Sequence, residues 1–151
     1  MLDLVVPDFS LPATSGITFQ LSAEQGHPVV IYFYPKDSTP GCTTEAGQFR
    51  DLHAKFAKLG CVIYGVSRDS LKSHENFKAK QELPFELLSD KDELACGIFG
   101  VMKMKNMYGK QVRGIERSTF LIDAKGVLRK EWRGLKVDGH ANAVLEAVKT
   151  L

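Results

Sequence analysis

The 151-residue chain lacks the features of several protein classes. It has no run of about 18 apolar residues, so the sequence offers no membrane-spanning helix. Its first ten residues lack a basic segment followed by a long apolar stretch, which argues against a secretory signal. The formal net charge of +2 is too small to indicate a nucleic-acid partner. We therefore expect no membrane and no nucleic-acid partner.

Patterns for metal and nucleotide binding are also absent. The four histidines do not group with each other or with cysteines at the spacing of metal ligands; they are His27, His53, His74 and His140. The chain contains no glycine-rich phosphate-binding loop of either common type. We therefore expect a protein that works without a bound cofactor.

Cysteine is scarce as well. The three cysteines, Cys42, Cys61 and Cys96, are odd in number and widely spaced, which is a poor framework for disulfides. This usage fits a reducing compartment and predicts a cytoplasmic protein. A length of 151 residues with 44% hydrophobic residues predicts a single domain over 1–151.

What the sequence does contain is an alternation of strand and helix patterns. An unbroken apolar run over 29–34 predicts a central strand buried on both faces. From Thr39 onward, apolar residues recur every three or four positions, which predicts a long helix capped by Thr39 and stopped at Gly60. The other predicted elements are strands over 61–66, 85–88, 117–123 and 127–133, helices over about 70–81 and 93–99, and a last helix capped by Asp138.

The order of these elements predicts the fold class. Helix-length crossovers make the first strands parallel, and the short turn over 124–126 makes the last two strands an antiparallel hairpin. Phe19 and its apolar neighbours, with Gly16 at a turn, predict a further N-terminal β-hairpin. We therefore predict an α/β protein with the thioredoxin fold, a central mixed β-sheet flanked by helices.

The segment over 35–42 concentrates the chemistry. It joins the C-terminal end of the central strand to the long helix, and sites in open α/β sheets lie at this edge. If Thr39 is the N-cap, Cys42 lies in the first helical turn, where unpaired N–H groups and the helix dipole favour a thiolate over a thiol. The sequence therefore predicts a reactive Cys42.

A cation for this thiolate is predicted from topology. Arg117 begins a strand that we expect to run antiparallel to the central strand, which places Arg117 at the same sheet edge as Cys42. Its guanidinium can hold the thiolate and an oxygen atom of a bound substrate together. The Thr39 hydroxyl can both accept from and donate to a substrate, and Pro35 would shape and shield the pocket.

These residues carry a resemblance to a known family. Pro35, Thr39 and Cys42 match the P-x-x-x-T-x-x-C motif of peroxiredoxins, and Arg117 matches their later active-site arginine. The stretches FYPKDSTPGCTTEAGQFRD and KNMYGKQVRGIERSTFLID resemble the bacterioferritin comigratory protein, or peroxiredoxin Q, branch. The resemblance implies that Cys42 attacks hydrogen peroxide or an organic hydroperoxide and becomes a sulfenic acid. It also implies re-reduction by thioredoxin, with glutaredoxin or a low-molecular-weight thiol as alternatives, and a protein that is often monomeric.

The chain departs from that branch at the resolving cysteine. The two positions that carry it in the branch align with Gly47 and Lys78 here. Cys61 lies just beyond the far end of the helix that Cys42 begins, and seventeen helical steps at 1.5 Å each place the two cysteines roughly 25 Å apart, which is too far for a disulfide. Cys96 remains an alternative, although its apolar setting is typical of core packing. We predict a one-cysteine cycle, with an atypical two-cysteine cycle through Cys96 as the alternative.

Two further interpretations stay open from the sequence. A thioredoxin-like disulfide oxidoreductase would need a C-x-x-C pair, and Thr39 occupies the first of those positions. Such proteins also carry a proline just before the terminal hairpin, where this chain has Glu116. Separately, the segment over 101–114 holds four cations and no acidic residue, namely Lys103, Lys105, Lys110 and Arg113. We expect a solvated loop there, with a docking surface as the other interpretation.

Overall fold

A five-stranded mixed sheet lies at the centre of the structure, a computed structural model that describes all residues from Met1 to Leu151. The strands are β1 (Ser10–Pro12), β2 (Thr18–Gln20), β3 (Val29–Phe33), β4 (Val62–Ser67), β5 (Glu86–Ser89), β6 (Met102–Met107), β7 (Lys110–Ile115), β8 (Ser118–Ile122) and β9 (Leu128–Arg133). The helices are α1 (Pro40–Lys58), α2 (Leu71–Gln81), α3 (Leu94–Phe99) and α4 (His140–Lys149).

The central sheet has the strand order β5-β4-β3-β8-β9. Strand β3 pairs in parallel with β4 and β4 in parallel with β5, whereas β8 runs antiparallel to both β3 and β9. The predicted mixed sheet with flanking helices is confirmed, and each of its strands lies within about one residue of its predicted range.

Burial on both faces explains why β3 is apolar throughout. All five of its residues are buried, and their side chains alternate between two hydrophobic clusters. One cluster takes Val30 and Tyr32 together with apolar residues of α1, α2 and α4. The other takes Ile31 and Phe33 together with the N-terminal strands and α3. None of the helices combines the length and the apolar character needed to cross a bilayer.

The predicted N-terminal hairpin is confirmed as strands β1 and β2, which pair antiparallel around a turn that contains Gly16. Phe19 of β2 is buried and stacks edge-on against Tyr64, with ring centroids 4.7 Å apart. The hairpin therefore covers the face of the central sheet opposite α1.

The prediction of a loop over 101–114 was wrong. Strands β6 and β7 form an antiparallel hairpin, with Met102 paired to Ile115 at its base and Met107 paired to Lys110 at its end. Tyr108 and Gly109 form the turn with φ angles of 53° and 78°, the positive values that two-residue hairpin turns require. The four cations of this segment lie on a regular two-stranded ribbon.

The cap predicted for the last helix was off by one residue. Gly139, with a φ of 69°, occupies the N-cap position of α4, and no side chain caps the helix there. Asp138 lies one residue earlier, because the left-handed backbone at Gly139 turns the chain into the helix directly. The inner face of α4 is apolar, and its residues Ala141, Val144, Leu145 and Val148 are buried.

Candidate active site

Cys42 lies in the first turn of α1, as predicted. The helix begins at Pro40, and Thr39 is the N-cap with an extended backbone (φ −86°, ψ 156°). The Cys42 side chain points into the protein, and the residue is only 2% exposed. Its sulfur therefore lies at the positive end of a 19-residue helix, in a setting where water competes little for it.

Arg117, which is distant from Cys42 in sequence, contacts this sulfur from the start of β8. It directly precedes β8, whose first residue Ser118 pairs with Phe33 at the end of β3. The two partners are 75 residues apart in sequence, yet Nη2 of Arg117 lies 3.4 Å from Sγ of Cys42 and donates a hydrogen bond to it. The predicted juxtaposition of the cation and the thiol is present.

A glycine next to Cys42 makes room for the guanidinium. A Cβ atom on Gly41 would lie 3.1 Å from Nη2 of Arg117, closer than most side-chain contacts. The nearby His140 is no second cation, because burial, followed by the charge of Arg117, lowers its pKa to about 4. At neutral pH Arg117 therefore acts on the sulfur without help from this imidazole.

Glu45 is a site residue that the sequence reasoning missed. Its side chain is completely buried, and Oε1 accepts a hydrogen bond of 2.6 Å from Nη1 of Arg117, while Oε2 has no partner. Burial raises the pKa of Glu45 to about 7, even though the charge of Arg117 lowers it. The spacing of three residues from Cys42 places both side chains on one face of α1, and this spacing was a usable signal.

The raised pKa of Glu45 predicts a pH-dependent stability. Because its folded pKa lies above its ordinary value, its contribution is complete below about pH 4.5 and is lost as the pH rises towards about 7. Relative to the Glu45→Gln variant, which cannot ionise there, the native protein should lose about 3 kcal/mol of unfolding free energy between these values. Urea unfolding of both proteins at pH 4.5 and pH 8 measures this difference. An equal gap at the two pH values would contradict the prediction.

Thr39 and Pro35 lie in the loop that precedes Cys42, both partly buried. The Thr39 hydroxyl donates a 2.8 Å hydrogen bond to the carbonyl oxygen of Lys36. Thr39 occupies the predicted N-cap position, but its hydroxyl makes no capping bond to the helix. Because the hydroxyl proton is committed to Lys36, the oxygen keeps lone pairs that can accept a hydrogen bond from a substrate.

A buried polar network fixes the same loop, and the sequence reasoning also missed it. Asp37 Oδ2 lies 2.7 Å from Nδ1 of His74, and Tyr34 and Ser73 each donate to the same carboxylate, at 2.6 and 2.8 Å. Nε2 of His74 faces the Leu88 carbonyl oxygen at 2.8 Å. Since a carboxylate and a carbonyl only accept, both ring nitrogens donate, and His74 forms a buried ion pair with Asp37.

This network also contains the one cluster with the geometry of a metal site. Asp37, Asp69 and His74 offer ligand atoms that all lie within 4.8 Å of one another. However, Asp69 accepts from the backbone N–H of Asp37 at 2.9 Å, and both nitrogens of His74 already donate. The arrangement is complete as a hydrogen-bond network that ties the active-site loop to α2.

Breaking the Asp37–His74 pair should destabilise the fold. Burial acts to raise the pKa of Asp37, but hydrogen bonds from His74, Tyr34 and Ser73, together with the charge of His74, outweigh it and lower that pKa. The stabilisation is therefore present above the ordinary pKa and is lost as the pH falls through the lowered one. His74→Gln should reduce the unfolding free energy at pH 7 by about 3 kcal/mol. The half-exposed His27, which pairs with Glu24, provides the control. His27→Gln should change the unfolding free energy by less than about 1 kcal/mol.

Denaturant unfolding of the two variants measures this difference. We expect the deficit of His74→Gln to shrink in acid, because protonated Asp37 no longer needs the cation. Equal effects of the two substitutions at pH 7 would mean that the buried ion pair contributes little.

The other two cysteines lie away from this site. Cys61 is buried just before β4, beyond the far end of α1, and burial raises the pKa of its thiol to about 12. Cys96 of α3 is fully buried and packs in the cluster on the opposite face of the central sheet from Cys42. Burial, followed by the nearby carboxylate of Asp90, raises the pKa of Cys96 as well. The sheet therefore separates Cys42 from Cys96.

Comparisons with known proteins identify the family of this chain. The sequence model that describes the AhpC/TSA family matches residues 3–131 of this chain. The chain is 56% identical over 151 residues to peroxiredoxin Bcp of Xanthomonas campestris pv. campestris. This alignment covers 99% of this chain and 94% of the relative. It is 51% identical over 145 residues to peroxiredoxin Bcp of Bacillus subtilis, covering 96% of this chain and 92% of that one.

Solved structures give the same assignment. The bacterioferritin comigratory protein of Xanthomonas campestris, described with alkyl peroxide reduction activity, superposes with a TM-score of 0.90 at 56% identity, over 94% of this chain and 90% of that one. Peroxidoxin BcpB of Mycobacterium tuberculosis superposes with a TM-score of 0.88 at 32% identity, over 99% and 97% of the two chains. The chain therefore belongs to the AhpC/TSA family, within its Bcp or peroxiredoxin Q branch, and is a thiol peroxidase with the thioredoxin fold.

Proposed function

We propose that Cys42 is the peroxidatic cysteine and that it reduces hydrogen peroxide and organic hydroperoxides. The observation that carries the proposal is the 3.4 Å contact between Nη2 of Arg117 and Sγ of Cys42 at the N-terminus of α1. A helix N-terminus and a fixed guanidinium both stabilise a thiolate, which is the nucleophilic form of cysteine. The alkyl peroxide reduction described for the Xanthomonas relative supports alkyl hydroperoxides as substrates.

The reaction follows from the charges of the site. The Cys42 thiolate attacks one oxygen of the hydroperoxide, an S–O bond forms and the O–O bond breaks. The sulfur is oxidised to a sulfenic acid, and the leaving oxygen departs as an alkoxide or hydroxide that takes up a proton to give an alcohol or water. Negative charge moves from sulfur to the leaving oxygen, and the Arg117 guanidinium is placed to stabilise it at both positions.

Thr39 and Pro35 would position the substrate. The Thr39 hydroxyl oxygen is free to accept a hydrogen bond from the peroxide O–H, since its own proton is held by the Lys36 carbonyl. Pro35 has no backbone N–H, so it can line the pocket without a donor that competes for the peroxide oxygens. Glu45 holds Nη1 of Arg117 and thereby directs Nη2 to the sulfur.

We further propose a one-cysteine cycle. A disulfide needs Cα atoms within about 7 Å, and Cys96 lies across the central sheet from Cys42 while Cys61 lies beyond the far end of α1. The sulfenic acid would then react with an external thiol to give a mixed disulfide and water, and a second thiol would release the Cys42 thiol. Thioredoxin, glutaredoxin or a low-molecular-weight thiol could supply these electrons to a monomeric, cytoplasmic enzyme.

Oxidation with one equivalent of hydrogen peroxide, followed by mass spectrometry, tests this cycle. We expect one added oxygen on Cys42, trapped by a sulfenic-acid reagent, with Cys61 and Cys96 still as thiols. An intramolecular disulfide between Cys42 and Cys96 would overturn the one-cysteine cycle and favour the two-cysteine alternative. Oxidation confined to Cys61 or Cys96 would overturn the assignment of Cys42 itself.

A further inference from the structure

The hairpin β6–β7 is a strongly basic element on a chain of low net charge. The segment 101–114 holds four of the chain's 20 cationic side chains and none of its 18 acidic ones. The remainder of the chain is therefore net acidic, and the positive charge is concentrated on this ribbon. Such asymmetry produces a local field that attracts oppositely charged partners and speeds their association.

The register of the hairpin sorts these charges onto its two faces. Side chains alternate along a strand, and directly paired residues lie on the same face. The pairs Lys105–Val112 and Met107–Lys110 therefore share one face with Lys103, and that face carries no carboxylate. Arg113 lies on the other face, where Glu93 binds it. This face thus carries three lysines that form no ion pair, beside two exposed apolar side chains; only Lys105 has a carboxylate, that of Glu116, acting on its charge.

That lysine face borders the active site. The Lys105 ammonium donates to the carbonyl oxygen of Ile115, two residues before Arg117. Partial burial, followed by the charge of Arg117, lowers the pKa of Lys105, and the charge of Cys42 acts on it in the opposite direction. A molecule seated on this face would therefore lie next to Cys42.

The shape and composition of the hairpin favour a protein partner over a small ligand. Small ligands bind in concave pockets, and none of the five cavities in the structure is lined by a hairpin residue. Methionine, tyrosine and arginine are enriched in protein interfaces. Met104, Met107 and Tyr108 are 61%, 49% and 100% exposed here, an unusual exposure of large side chains on one short element.

We propose that the lysine face of the hairpin docks the protein thiol that reduces Cys42, and that this partner carries acidic side chains around its reactive thiol. The inference rests on the external-thiol cycle proposed above. Because Cys42 is almost completely buried, free collisions seldom bring a protein thiol to its sulfur, and a docking surface at this edge would hold the partner while its sulfur replaces the hydroxyl of the sulfenic acid. The leaving hydroxyl takes the proton of the incoming thiol and departs as water, and the two sulfurs form the mixed disulfide.

Charge reversal tests this docking surface. The K103E/K110E variant changes two exposed lysines that make no hydrogen bond or ion pair with the protein, and the matched control K55E/K58E reverses two exposed lysines near the other end of α1. Each protein is oxidised with one equivalent of hydrogen peroxide. Cys42 reduction is then followed by rapid alkylation and mass spectrometry, with an acidic thioredoxin or with neutral dithiothreitol as the reductant.

We expect the thioredoxin rate constant, divided by the dithiothreitol rate constant, to fall about tenfold or more in K103E/K110E at low ionic strength. The native ratio should fall as salt is added, and K55E/K58E should behave like the native protein. An unchanged ratio in K103E/K110E would overturn the proposal, as would a native ratio insensitive to salt. An oxidised dimer that K103E/K110E dissociates would also overturn it, in favour of a second copy of the chain as the occupant. Failure of peroxide to oxidise Cys42 would instead defeat the proposed function.

Discussion

Replacing Cys42 with serine is expected to abolish hydroperoxide consumption while the protein stays folded. A serine hydroxyl stays protonated where a cysteine thiol can ionise, and its oxygen cannot form the sulfenic acid on which turnover depends. The exchange replaces one small side chain by another, so the fold should tolerate it. Peroxide consumption with excess dithiothreitol, together with circular dichroism of the same preparation, measures both properties.

The chain supplies matched controls for this substitution. Cys61→Ser and Cys96→Ser change equally buried thiols that lie away from Arg117, and both variants should keep peroxide consumption near the native rate. Full turnover by Cys42→Ser would defeat the assignment of the peroxidatic cysteine. Loss of turnover in Cys96→Ser with intact folding would instead indicate that Cys96 resolves the sulfenic acid.

Replacing Arg117 with alanine should slow the oxidation of Cys42 by about 10²- to 10³-fold, the usual effect of removing one donor that stabilises developing charge. The guanidinium is the group that donates to the Cys42 sulfur, and His140 cannot replace it because its pKa is about 4. Stopped-flow oxidation of Cys42 at several hydrogen peroxide concentrations measures the rate constant. We also expect a smaller thiolate fraction at neutral pH.

Two variants show whether Arg117 acts through its two hydrogen-bonding nitrogens or through its positive charge alone. Arg117→Lys keeps a cation but cannot contact Glu45 and Cys42 through two nitrogens at once, so it should recover only part of the rate. Arg129→Ala removes a half-exposed arginine that pairs weakly with Asp3 and Asp123, and it should leave the rate unchanged. Oxidation of Arg117→Ala at the native rate would show that the helix N-terminus activates Cys42 without the guanidinium.

The central sheet could be predicted from the sequence because the apolar composition of its core strands indicates that they are buried. Strand β3 is apolar at every position, which only a strand covered on both faces explains. The order of parallel and antiparallel connections then placed the start of β8 beside the end of β3, and so brought Arg117 to Cys42. For these two residues, chain topology and motif spacing were sufficient.

The rest of the site depends on contacts that no local pattern encodes. The Asp37–His74 ion pair joins residues that are 37 positions apart in the sequence. Neither residue alone can be distinguished from an ordinary polar side chain. Glu45 is an acidic residue on a helix whose apolar positions predicted the buried face, so its burial against Arg117 appears only once the strand and helix are packed. Tertiary pairing of charges overrides the rule that acidic residues face solvent.

The hairpin β6–β7 was missed for a different reason. Its Tyr108-Gly109 turn places a tyrosine at a positive φ, where asparagine, aspartate or glycine is the usual residue. Its strands carry lysines and methionines that stay largely exposed, so they lack the alternation of buried and polar residues that marks a half-buried strand. The structure shows a ribbon that is supported at its base by Met102 and Ile115.

Thiolate absorbance in the ultraviolet at neutral pH tests most directly whether the α1 N-terminus and Arg117 hold Cys42 ionised. The native protein should absorb more than Cys42→Ser, because the α1 N-terminus and the Arg117 guanidinium favour the thiolate form of Cys42, whereas burial raises the pKa of Cys61 and Cys96. This excess should be reduced in Arg117→Ala. A native spectrum identical to that of Cys42→Ser would contradict the account, since the nucleophile that it requires would then be absent.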